Sequence, residues 1–180
     1  PRNQSETLNA ENINSAVTTG CVRHGEILIY RKEEWLKVFI HETMHVCGLD
    51  FSSMIITKLK EDIQKLFPIE SNFKMYEGYS EFFATIIHCA LISYNIIEDK
   101  ENENDFIITT MSCIQLEINF SLFQCNKILN FMGLKYNYLY EKKISNEIRI
   151  LYREKTNVFA YFIIKTILLF NYVKFLNWCK

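Results

Sequence analysis

The chain has 180 residues, of which 49% are hydrophobic, and its 20 Lys and Arg nearly cancel 21 Asp and Glu to leave a formal charge of -1. That is the size and composition of one domain with its own core, so a single domain over residues 1–180 is expected, and a disordered chain or a collagen-like repeat is excluded. With no broad positive field to hold a phosphate backbone, no nucleic-acid partner is expected.

Only 5 glycines and 2 prolines are present, too few for the turns of a many-stranded barrel. The expected fold class is therefore α+β, mainly helical, with a small N-terminal β-sheet. Residues 1–12 are polar and read as a loose leading segment. Two stretches rich in Val, Thr and Ile, 16–22 and 26–31, flank Arg23, His24 and Gly25, the pattern of a hairpin. From Glu33 to Cys47 the spacing turns helical, with Trp35, Val38, Phe39, Met44 and Val46 gathering on one side. Glu33 and Glu34 suit the positive end of that helix, and Gly48 suits its C-terminal stop. Ser52 or Ser53 is placed to cap a second helix running to Phe67, where Pro68 ends it. A third is expected over about 76–94. The acidic run 98–105 reads as a solvated loop. Beyond it, 106–132 reads as one or two helices, 133–143 as a Tyr-rich connection and 144–178 as two final helices.

Val158 to Cys179 is the most apolar stretch, but Lys165, Asn171 and Lys174 interrupt it, and its longest apolar run, Val158 to Ile164, is 7 residues. A transmembrane helix needs about 20, so a buried helix is expected and no membrane span. The 6 cysteines contain no Cys-x-x-Cys pair, which points to reduced, mostly buried thiols in an intracellular protein.

His41-Glu42-Thr43-Met44-His45 forms an HExxH sequence within the best-defined helix. Four residues are just over one turn, so both imidazoles leave the same face and can grip one metal ion, with Glu42 beside them to reach a water on it. A catalytic zinc takes a third protein ligand. In the extended pattern HExxHxxGxxH/D, Gly48 falls in place, but Phe51 stands at the ligand position and Asp50 is one residue out of register. Cys47 projects away from the histidine pair. The better source is Tyr76-Glu77-Gly78-Tyr79-Ser80-Glu81-Phe82-Phe83, where Glu77 and Glu81 share one face of an apolar helix. Two carboxylates on such a face need partners to offset desolvation.

These two motifs resemble those of the gluzincin zinc metallopeptidases, in which HExxH lies on one helix and a glutamate ligand on a later one. The string KVFIHETMHVCGLDFS is similar to small metallopeptidase-like proteins encoded by large DNA viruses. The resemblance implies a zincin-like domain holding one Zn2+ through His41, His45 and Glu77. It also implies that Glu81, where Asp is more usual, orients a ligand histidine. Zincins place a strand before the HExxH helix whose edge binds extended substrate; residues 26–31 sit there, so a peptide or protein substrate is implied. The implied reaction is peptide-bond hydrolysis by a metal-activated water, with Glu42 as general base. For the oxyanion donor, Tyr161 is preferred among Tyr79, Arg149, Arg153, His24 and His88.

Other conspicuous residues read blandly: Trp35 and Trp178 as core or rim aromatics, His88 as a hydrogen-bonded core histidine, Lys165 as a snorkelling or paired lysine. Two alternatives stand beside the peptidase. One is a zincin-like binding or structural protein without turnover; the other is a metal-free helical module using its apolar C-terminal helix as an interface.

Overall fold

A computed structural model describes residues 7–19, 25–141 and 146–180, without the side chains of Asn146 and Arg149. The hairpin turn with His24 and Cys21, residues 1–6 of the leading segment, and the Arg149 side chain lie outside the described residues. Over the described residues the fold is mainly helical with one two-stranded antiparallel sheet.

Within the leading segment, Ala10–Ile13 forms a short helix, α1, instead of continuing loose. Asn9 and Asn12 each accept from the other's backbone N–H, a reciprocal cap that starts the turn. Strands β1 (Ala16–Thr18) and β2 (Ile27–Ile29) pair with Val17 opposite Leu28. Helix α2 (Trp35–Val46) follows and buries Val38, His41 and Met44. It stops where Gly48 takes φ 63, letting Leu49 N–H reach back to the Met44 carbonyl at 2.8 Å. Helix α3 (Thr57–Leu66) starts later than Ser52 or Ser53, because Ser52 donates to Asp50 instead.

Helix α4 (Met75–Ile96) is the central element, packed against α2 and against α5 (Glu103–Phe131). The single helix α5 begins inside the acidic run. Asn102 accepts from Asp105 N–H at 3.1 Å, and Glu103 and Asp105 suit the positive end of the dipole. After a 3-10 turn at Tyr136–Leu139 and the short α6 (Asn146–Arg149), the chain returns as a π-helical segment, Phe159–Ile164. That segment runs into α7 (Lys165–Phe170) and then α8 (Tyr172–Trp178).

The apolar tail is thus not one buried helix. Val158, Phe159, Ile163 and Leu169 are buried, but the axis bends by 89° before α8, which buries nothing. Trp178, 79% exposed, and Trp35, 54% exposed, lie on the surface and not in the core. Among the described residues α5 is the one single helix long and apolar enough to cross a membrane by length and composition. Its exposed face interleaves Ser112, Gln115, Asn119 and Asn126 with Ile108, Leu116 and Phe123.

Two apolar clusters fix α4. One gathers Met75, Leu129, Phe159, Ile163 and Ile164 around its start, the other Phe82, Cys89, Ile114, Ile118 and Leu169 around its middle. Gly78 permits the closest approach: a Cβ there would lie 2.8 Å from Ile164 Cγ2 and 3.2 Å from the Ala160 carbonyl oxygen. The fold therefore presses α2, the first turns of α4 and the π-helical segment together.

Candidate metal centre

That junction gathers His41 and His45 from α2 with Glu77 from α4. His41 Nε2 and His45 Nε2 are 3.0 Å apart, and each is 3.4 Å from Glu77 Oε2. Zinc bonds to His and carboxylate of about 2.0–2.2 Å imply ligand-to-ligand edges of about 3.3–3.6 Å in a tetrahedron. The two 3.4 Å edges to Glu77 fall in that range, and the 3.0 Å edge between the imidazoles is a few tenths of an ångström short of it. Among the described residues this is the one cluster of His, Cys, Asp and Glu able to hold a metal ion.

The donor chemistry supports the same fit. His45 Nδ1 contacts Asp50 Oδ2, and Asp50 Oδ1 accepts from Ser52 N at 3.0 Å and Ser52 Oγ at 2.6 Å. His41 Nδ1 lies 3.1 Å from Glu81 Oε2, close enough for a charge contact but off the line of a full hydrogen bond. A carboxylate at each Nδ1 favours the proton there and leaves the Nε2 lone pair inward. Two such lone pairs and a carboxylate oxygen, converging in a buried site, repel one another unless a cation or a proton joins them.

Without a metal, protons play that part. Burial alone would lower the His41 pKa, but Glu77 and Glu81 overcome it and hold it at about 9. Burial also opposes the charge on Glu77, yet the two imidazoles pull its carboxyl down to about 2. His45 is raised too, because Glu77 and Asp50 outweigh its burial and the neighbouring His41 charge. Asp50 is lowered because the Ser52 hydrogen bonds and His45 outweigh its desolvation.

Glu42 lines both cavities that His41 borders, and burial raises its pKa above the ordinary carboxyl value. One cavity, about 580 Å³, is a cleft lined by the cluster, Ala16, Val17 and Thr18 of β1, Ser52 and Tyr76. The strand on this cleft is β1, not the expected 26–31 segment. Bonds at Ser15–Tyr30 and Thr19–Glu26 set the ladder's alternation. They leave the backbone groups of Ala16 and Thr18 turned away from β2.

Tyr161 is in the site, but its hydroxyl donates to Glu77 Oε2 at 2.9 Å, while Asn157 Nδ2 donates to Oε1 at 3.1 Å. Burial, and then the Glu77 charge, push the Tyr161 phenol well above its usual range. Of the other proposed donors, Tyr79 packs against Phe51 and Phe83, and Arg153 donates to the Ile150 carbonyl. Neither these two nor His88 lines the cleft. Cys47 is an exposed free thiol outside the cluster.

Glu81 sits behind His41, its Oε1 held 3.0 Å from Lys37 Nζ and 3.2 Å from Lys165 Nζ. Lys165 is therefore a paired, buried lysine. Sequence reasoning missed Lys37, Asn157 and the position of Asp50 behind His45. Asn157 had a weak signal, a polar residue four before Tyr161 at the start of an apolar segment. Lys37, four before His41, had a comparable one.

No family model, no curated protein and no solved structure matches this chain.

Proposed function

We propose that the protein is a zinc-dependent peptidase of gluzincin type with a zincin-like active site, and that His41, His45 and Glu77 hold one Zn2+. The observation that carries this reading is the 3.0, 3.4 and 3.4 Å triangle of inward-facing donors, backed on both histidines by carboxylates. Zinc in such a site supplies Lewis acidity toward a carbonyl oxygen and an acidified water.

The remaining parts of the reaction belong to the chain. Glu42, in the cleft and raised by burial, accepts the proton of the attacking water and passes it to the departing amine. Asp50 and Glu81 keep the imidazoles in the tautomer that offers Nε2. Tyr161 and Asn157 steer the Glu77 carboxylate, and the Tyr161 phenol, which lines the cleft, is the donor for a developing oxyanion once substrate enters. The outward backbone groups of Ala16 and Thr18 pair with an extended peptide, which makes a peptide or protein chain the substrate class.

A mixed peptide library with mass-spectrometric readout tests the proposal, comparing wild type with Glu42→Gln at equal zinc content. Cleavage by wild type and its loss, by about 100-fold or more, in Glu42→Gln is expected for a general base. Equal inactivity of both zinc-loaded forms would favour a zincin-like binding protein without turnover.

A further inference from the structure

The carboxylate behind His41 is held in an unusual setting. Glu81 is a largely covered acid whose two oxygens face different partners: Oε2 faces His41 Nδ1, and Oε1 faces Lys37 Nζ from α2 and Lys165 Nζ from α7. Both lysine side chains are themselves nearly covered, 12% and 8% exposed. Lys37 is anchored in turn by Glu34 at 2.8 Å. Two ammonium groups on one carboxylate oxygen fix the plane and direction of the other, because a glutamate rotates about its last bond only as a rigid pair of oxygens. His45 has its own counterpart, since Ser52 pins Asp50 through two hydrogen bonds.

We infer that Lys37 and Lys165 are positioning residues for the metal, a clamp that acts through Glu81 to aim His41 and thereby sets metal affinity. The inference rests on the metal reading above. It makes helix α7, close to the C-terminus, part of the metal site, although the three ligands lie within residues 41–77.

Charge alone predicts the opposite effect. A lysine near a dication repels it, so removing Lys165 or Lys37 without any loss of positioning should tighten metal binding. A clamp predicts weaker binding. The sign of the change therefore separates the two roles, and a merely structural lysine would lower stability equally with and without metal.

The test is a zinc titration against a competing chelator at fixed pH on wild type, Lys165→Met, Lys37→Met and Glu81→Gln, with folding of each metal-free form checked by circular dichroism. Loss of a group that orients a ligand histidine costs about 10–100-fold in metal affinity, and each Met variant is expected to weaken zinc by about 10-fold or more. In a Glu81→Gln background, Lys165→Met should add almost nothing, since both act on the same contact. Should Lys165→Met fail to fold, Lys37→Met carries the test from the other side of the carboxylate. Unchanged or tighter zinc binding in the folded Met variants overturns the clamp and leaves the metal reading intact. A wild type that takes up no zinc overturns both.

Discussion

Replacing Glu77 with Gln in chelator-treated protein removes the charge that the two imidazoles face, and the size of the effect follows from the site. The Glu77 carboxyl falls from 4.5 to about 2 in the folded chain. At about 1.4 kcal/mol per pH unit this favours its ionised form by about 3 kcal/mol. His41, raised from 6.5 to about 9 by Glu77 and Glu81 together, reports in part the same attraction from the imidazole side and is not counted again. The signs define a window. A lowered carboxyl contributes fully above 4.5 and loses its contribution as pH falls through about 2. A raised imidazole contributes fully below 6.5 and loses its contribution as pH rises through about 9. The stability difference between wild type and Glu77→Gln should therefore peak at about 3 kcal/mol between pH 4.5 and 6.5 and shrink on both sides. Urea unfolding followed by circular dichroism from pH 2 to pH 9.5, with chelator throughout, measures it. A difference that stays flat across that range would refute the account of a Glu77 carboxylate held by the His41–His45 imidazole pair.

Gly78→Ala should force α4 and the π-helical segment apart, since the new Cβ meets Ile164 Cγ2 at 2.8 Å and the Ala160 carbonyl at 3.2 Å. A loss of about 1–3 kcal/mol in chemical denaturation is expected for such overpacking; wild-type stability would contradict it. Asp50→Ala leaves His45 Nδ1 without its carboxylate and should weaken zinc by about 10–100-fold in a competition titration, whereas unchanged affinity would remove Asp50 from the site. Burial pushes the Cys89 thiol up to about 12 and Cys125 to about 11, while Cys47 and Cys179 are exposed. At pH 8, site-resolved alkylation should modify Cys47 and Cys179 first and reach Cys89 and Cys125 only on unfolding; early labelling of Cys89 would contradict the packing around α4.

What was legible in the sequence follows local periodicity. His41, His45, Glu77 and Glu81 stand out because each pair is one turn apart on a helix whose apolar face also shows, and those helices form. The supporting residues were hidden because they depend on which elements meet. Asp50 reaches His45 only because Gly48 reverses the chain, and Lys165 reaches Glu81 only because α7 packs across α4. The early start of α5 depended on one cap, Asn102, inside a run whose acidity reads as loop. The tail misled for a different reason. Its composition is uniformly apolar, and nothing in composition marks a π-helical turn or an 89° bend. The cleft strand was displaced from residues 26–31 to β1 because adjacency to α2 in sequence says nothing about which strand of a hairpin borders it in space.

The central question is whether a metal occupies the His41, His45 and Glu77 triangle. The direct measurement is metal content by mass spectrometry on tag-free protein, wild type against Glu77→Ala, with fold matched by circular dichroism. About one zinc per chain is expected in wild type, as a three-ligand site requires, with a sharp loss in the variant. Absence of zinc from wild type even after it is added back would contradict the account and leave a helical domain whose HExxH sequence binds no metal.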